Sequence, residues 1–174
     1  MQRRISKKVV VSLFAGILLA VLYAIIFSFS AQNAEQSGSL SRTFSEKCVG
    51  MFRSVSGRQW SHALIVQLAE AIEHPIRKLA HFSEYALMGI LVYVLWSQWM
   101  KRGRRLYFLT VVWVALSAAA DEIHQLFVPG RYCSFRDVCI DTCGGVFGML
   151  LCVLTAKLFS GKKLRKQRKT ALPK

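Results

Sequence analysis

Val9 to Phe29 is a run of 21 residues without one charged side chain, and no other feature restricts this chain's fold as much. About 20 apolar residues in a helix cross the roughly 30 Å hydrocarbon core of a bilayer, whereas a surface helix of a soluble domain needs a polar face. Three more runs follow. Leu79 to Met100 carries only His81 and Glu84 near its start, and Leu106 to Val128 is uncharged until Asp121. Val138 to Phe159 holds Asp141 near one end and Lys157 near the other, where a lysine stem can reach the interface. A chain of 174 residues that is 53% hydrophobic is too apolar for a soluble domain of that size. The pattern predicts an all-α, polytopic membrane protein with four transmembrane helices, spanning about 9–29, 79–100, 106–128 and 138–159 within a membrane domain of residues 9–160. The competing reading of the N-terminus is a cleaved signal peptide, with "MQRRISKK" ahead of the apolar run and "SFSA" after it. The run is too long for that, since signal cores hold about 7–15 residues.

The net charge of +15 would suggest a nucleic-acid partner if the basic residues covered a folded surface. They lie instead in blocks between the spans. Arg3, Arg4, Lys7 and Lys8 precede the first, Lys101, Arg102, Arg104 and Arg105 join the second to the third, and eight more lie from Lys157 to Lys174. Those segments contain no acidic residue, so the positive-inside rule makes them cytoplasmic. Residues 1–8 become a basic cytoplasmic N-terminus and 161–174 a basic cytoplasmic tail of a multi-pass cell-membrane protein. The tail "GKKLRKQRK" reads as a topology anchor on anionic lipid, and no nucleic-acid partner is expected.

This topology brings most of the remaining polar residues to one depth on the outer side. On a helical wheel Lys78, His81, Glu84 and Tyr85 share a face, as do Ser117, Asp121, His124 and Gln125, with Glu122 beside them. Asp137 and Asp141 are one turn apart, and Gly144, Gly145 and Gly148 continue their face with a GxxxG spacing that admits a close neighbour. The short "VPGRYCSF" link makes the third and fourth spans a hairpin and sets Arg131 near Glu122 and Asp137. In the long outer segment, "SFSAQNAEQSGSLSR" has turn-forming composition, while Trp60, Leu64, Leu68, Ala71 and Ile72 form the stripe of an outer interfacial helix over 60–73, ending at Pro75.

"RKLAHFSEYALMGIL", "ADEIHQLFVPGRYCSFRDVCIDTCGGVFG" and the leading "FSFSAQNAEQSGSLS" together resemble the VanZ-like family, from about Phe27 to Leu151. The matched positions are Lys78, His81, Glu84, Tyr85, Glu122, Gln125, Arg131, Asp137 and Gly144. Asp141 departs from the pattern, which more often has asparagine there. The resemblance implies an integral membrane protein of Gram-positive type, linked in some members to resistance against glycopeptides such as teicoplanin. It supplies no reaction.

Three readings of the polar cluster compete. In the first it is a pocket that binds or acts on an anionic or amphiphilic partner, a membrane lipid or envelope precursor. His81, Glu84 and Glu122 would then be acid/base candidates, with Lys78, Tyr85, Gln125, Arg131, Asp137 and Asp141 binding the ligand. Ser83, Ser117 and Ser134 lack the context of an activated nucleophile. In the second reading the cluster is an ion-pair clamp in a structural or partner-binding subunit. Its weakness is that Glu84, Asp121, Glu122, Asp137 and Asp141 outnumber Lys78, Arg131 and Arg136. In the third it is a metal site, His81 and Glu84 being joined by Glu122, His124, Asp137 or Asp141. Glu122 and His124 are two residues apart and point in nearly opposite directions, so no metal and no cofactor is expected. Among five cysteines only Cys48 and Cys133 lie in outer segments, and whether they pair is open, as is the oligomeric state.

Overall fold

A computed structural model describes residues 6–57 and 59–170, with side chains as far as Leu158. Arg3 and Arg4, and the side chains of the basic tail beyond Leu158, lie outside the described residues. The described chain is all helix: α1 (Lys7–Ser30), α2 (Ala34–Ser56), α3 (His62–Ser97), α4 (Arg104–Gln125) and α5 (Phe135–Thr170). Four of these contain stretches long and apolar enough to cross a membrane: α1, α3, α4 and the Phe135–Leu158 part of α5.

α1 buries Ala15, Leu19, Leu22, Ile26 and Ser30, a single stripe at helical spacing. Leu13, Phe14, Ile17 and Val21 point away from the bundle, as the lipid-facing side of a span must. α3 is the central helix and touches the other four. Leu19, Leu22 and Ile26 of α1 meet Tyr85, Met88, Leu91 and Val92 of α3 and Val114 and Ala118 of α4 in one core. Lipid tails are as apolar as leucine, so close packing and hydrogen bonds hold such helices together rather than escape from water.

Glycine supplies the closest packing. A Cβ on Gly144 would overlap the backbone of Phe82, one on Gly148 the backbone of Ala86, and one on Gly89 the backbone of Gly145. Phe82 and Ala86 meet Gly144 and Gly148 in the same order, so α3 and α5 run parallel, with α4 packed against both.

Two expectations for the segment before the second span are corrected. The serine-rich stretch from Ala34 is not a turn region but α2, started by a capping box in which Asn33 accepts from the Gln36 N–H at 2.8 Å and Gln36 accepts from the Asn33 N–H. The helix expected to stop at Pro75 instead runs through it into the span. Proline removes one helical N–H, but the turn around it is tied to α2 from outside. Glu73 accepts from Arg77 at 2.7 Å and from Ser41 at 3.0 Å, and Arg42 pairs with Glu70. At about 1.5 Å per residue the 36 residues of α3 extend roughly 54 Å, well beyond one bilayer core. Its first third therefore projects from the spanning part and forms an antiparallel hairpin with α2, with Phe52 against Trp60 near the turn. α2 leaves Leu40, Phe44, Met51 and Val55 exposed along one side, the apolar face that an interfacial helix turns to lipid.

Candidate functional site

The polar residues of α3, α4 and α5 gather at the end of the bundle where α4 turns into α5. Nine residues, 126–134, make that turn, and Gly130 takes a φ of 75° that favours glycine. The Pro129 carbonyl accepts from the Ala34 N–H at 3.3 Å, which fastens the turn to the start of α2. Glu122, 2% exposed, accepts from the Ser134 N–H at 2.7 Å and so closes the turn onto α4.

Arg131 does not occupy its expected place. It forms no ion pair with Glu122 or Asp137; its Nε donates to the Gln32 carbonyl at 3.1 Å, Nη2 to the Phe29 carbonyl at 3.2 Å and Nη1 to Gln125 Oε1 at 3.2 Å. The end of α1 has carbonyls without helical partners, and a planar guanidinium can donate to several acceptors at once. Burial lowers the pKa of Arg131 from the usual arginine value, and the group stays charged at neutral pH. Asp137 pairs instead with Lys78, joining α5 to α3.

Gln125 passes the contact inward. Its Nε2 donates to Asp121 Oδ2 at 3.1 Å, so Arg131, Gln125 and Asp121 form one chain from the end of α1 to the bundle interior. There Asp121, 8% exposed, comes together with His81 from α3 and Asp141 from α5, 1% exposed: their candidate donor atoms lie within 4.8 Å of one another. Neither Asp141 oxygen nor His81 Nδ1 has a hydrogen-bond partner. Glu84 Oε2 is 4.0 Å from that nitrogen, beyond hydrogen-bond reach. Tyr85 is buried beside them, with its hydroxyl 3.4 Å from the Ser117 carbonyl.

His124 does not join this group. It stacks on Phe27 of α1, ring centroids 4.5 Å apart, in the wall of a cavity of about 500 Å³ between α1 and α4. Ile26, Trp113 and Leu116 make the cavity largely apolar, and Tyr85 and Asp121 form its polar end. Across it Tyr23 and Ser117 share a 2.5 Å hydrogen bond, and Trp113 Nε1 donates to the Tyr23 hydroxyl at 3.0 Å. Tyr23 and Trp113 were not among the expected site residues. Their sequence signal is faint: one polar-tipped aromatic inside the uncharged first run, and a tryptophan one turn before Ser117. Ser83 donates to the Leu79 carbonyl at 2.7 Å, a local helix bond. All five cysteines are free thiols, Cys48 and Cys133 included.

A family model described as VanZ/LLP1 matches residues 15–157, from within α1 to the end of the α5 span. The chain belongs to the VanZ/LLP1 family. The match takes in the whole polar end and the apolar cavity, so both lie within the VanZ/LLP1 unit. No curated protein and no solved structure matches the chain.

Proposed function

We propose that this VanZ/LLP1 protein binds or acts on an anionic, amphiphilic molecule of the cell envelope, tail in the α1–α4 cavity and head at the polar end. The observation that carries the proposal is the continuity of the two: the same Asp121 that ends the apolar cavity stands beside His81 and Asp141. A pocket with apolar walls and a few convergent polar groups is the usual form of a small-molecule site. Because the Arg131 donors go to protein acceptors and Lys78 is paired with Asp137, the exposed Arg136 is the cation better placed for an anionic head. The clamp reading accounts for the Lys78–Asp137 pair but leaves Asp141 buried without a partner. Acid/base work falls to Glu84, 4.0 Å from the His81 ring nitrogen. Glu122, held by the Ser134 N–H, has a mainly positional part.

Orientation follows from charge. The basic blocks at the start, at Lys101 to Arg105 and from Lys157 onward make both termini cytoplasmic and turn the polar end outward. A reporter fused at Lys174 should read as cytoplasmic and one fused at Gly57 as external. The opposite outcome for either fusion would remove the outer-leaflet ligand.

The direct experiment is mass spectrometry of lipid that co-purifies with the protein. Ala120 lines the cavity and is exposed, so Ala120→Phe should fill it at little cost in folding. Wild-type protein should carry an anionic amphiphile, and the variant should carry several-fold less at equal membrane yield. Equal lipid in both would overturn the cavity assignment. A finer expectation comes from the family resemblance: in a susceptible Gram-positive host, expression should raise tolerance to acylated teicoplanin more than to tail-less vancomycin. Ala120→Phe should remove the difference while membrane blots stay unchanged. Equal protection against both drugs would count against a mechanism that depends on the tail.

A further inference from the structure

His81, Asp121 and Asp141 come from three helices, yet their donor atoms lie within 4.8 Å of one another. Two buried carboxylates placed together repel unless they share a proton or a positive group stands between them. Among the described residues no lysine or arginine stands there. Lys78 is held by Asp137 and the guanidinium of Arg131 reaches only Gln125 at this edge, so both oxygens of Asp141 remain without a partner although the residue is 1% exposed.

We propose that His81, Asp121 and Asp141 bind a divalent transition-metal cation. One imidazole and two carboxylates are a donor set for Zn²⁺ or Mn²⁺. Metal–ligand bonds of about 2.0–2.2 Å put tetrahedral donors roughly 3.4 Å apart, so side-chain rotation within the observed separation is enough to close the shell. The surroundings are those of a metal site. The Gln125 amide, itself anchored by Arg131, orients one Asp121 oxygen and leaves the other free, and Glu84 stands near the His81 ring. Sequence spacing offers Glu122 and His124 as the α4 donors rather than Asp121, and in the structure His124 faces α1.

Three protein donors leave a coordination position open, and the site adjoins the cavity through Asp121. A bound cation would turn an acid-rich end into one able to hold a phosphate or carboxylate head group. That last step rests on the proposed lipid ligand; the metal site itself does not.

The test uses the full chain in detergent, stripped with chelator, loaded with Zn²⁺ or Mn²⁺, desalted and assayed for metal per chain. Wild-type protein should retain a stoichiometric ion and melt at higher temperature with it. Asp141→Asn and His81→Gln should each lower retention about tenfold or more and lose the thermal shift, while His62→Gln, at the exposed start of α3, should behave as wild type. Circular dichroism and a monodisperse elution profile show which variants are folded. Should all the ligand variants misfold, pulsed electron paramagnetic resonance of Mn²⁺ on wild-type and His62→Gln protein still decides, because a coupled histidine nitrogen is expected in both. No retained metal in wild type, full retention in folded Asp141→Asn, or a Mn²⁺ signal without nitrogen coupling would overturn the proposal. Lipid content is measured on the same samples. Lipid without metal sinks only the metal site; metal without lipid sinks only the proposed ligand.

Discussion

Gly148→Ala should destabilise the protein by roughly 3 kcal/mol or more, at the upper end of what one added methyl group costs. The new Cβ would overlap the Ala86 carbonyl, a backbone atom that cannot move aside as a flexible side chain can, so α3 and α5 must separate. Gly144→Ala meets Phe82 in the same way and should cost a similar amount. Gly16 in α1 has no neighbour within 4 Å of its would-be Cβ. There alanine should be neutral or stabilise by about 0.5–1 kcal/mol through helix propensity alone. Unfolding in mixed micelles with increasing dodecyl sulfate, followed by circular dichroism, gives the three values. Similar costs at Gly16 and Gly148 would mean that α3 and α5 are not packed backbone to backbone. The consequence reaches the site, since Asp141 lies on α5 and His81 on α3. Folded Gly148→Ala protein should therefore also bind metal and lipid more weakly.

The spans were legible because bilayer thickness imposes a length on any apolar helix that crosses it. The glycine face of α5 was legible too, since Gly144, Gly145 and Gly148 recur at helical spacing. Composition misled at α2, where serines and glycines suggest turns. The better signal was local, Asn33 and Gln36 three apart as a capping box. Pro75 misled for a different reason: contacts from another helix hold the turn around it, and sequence spacing on α3 alone carries no trace of them. The polar cluster shows the same boundary. Helical wheels correctly put His81 on one face of α3 and Asp141 on the glycine side of α5. Which acid meets them depends on how far α4 slides and rotates against the two, and that is set by packing of Val114 and Ala118 in the core.

Arg131→Ala should cost roughly 2–4 kcal/mol, because charge-assisted hydrogen bonds contribute about 1.5–3 kcal/mol each and the three here are not independent. The side chain joins the last turn of α1, the link between α1 and α2, and α4 through Phe29, Gln32 and Gln125. Arg131→Lys keeps the charge but cannot aim three donors along one plane, so it should recover less than half of the loss. Sequence spacing suggested Glu122 as the partner, whereas the structure places Gln125 there, and double-mutant cycles separate the two. Arg131→Ala with Gln125→Leu should show a coupling of about 1 kcal/mol, and Arg131→Ala with Glu122→Gln a smaller one, since that pair shares no hydrogen bond. The larger coupling at Glu122 would restore the sequence-based pairing and undo the Arg131–Gln125 link. With that link in place, the effect extends to ligand retention. Releasing Gln125 frees the Asp121 carboxylate to turn away from His81 and Asp141, so folded Arg131→Lys protein should hold metal less tightly although residue 131 touches none of the three donors.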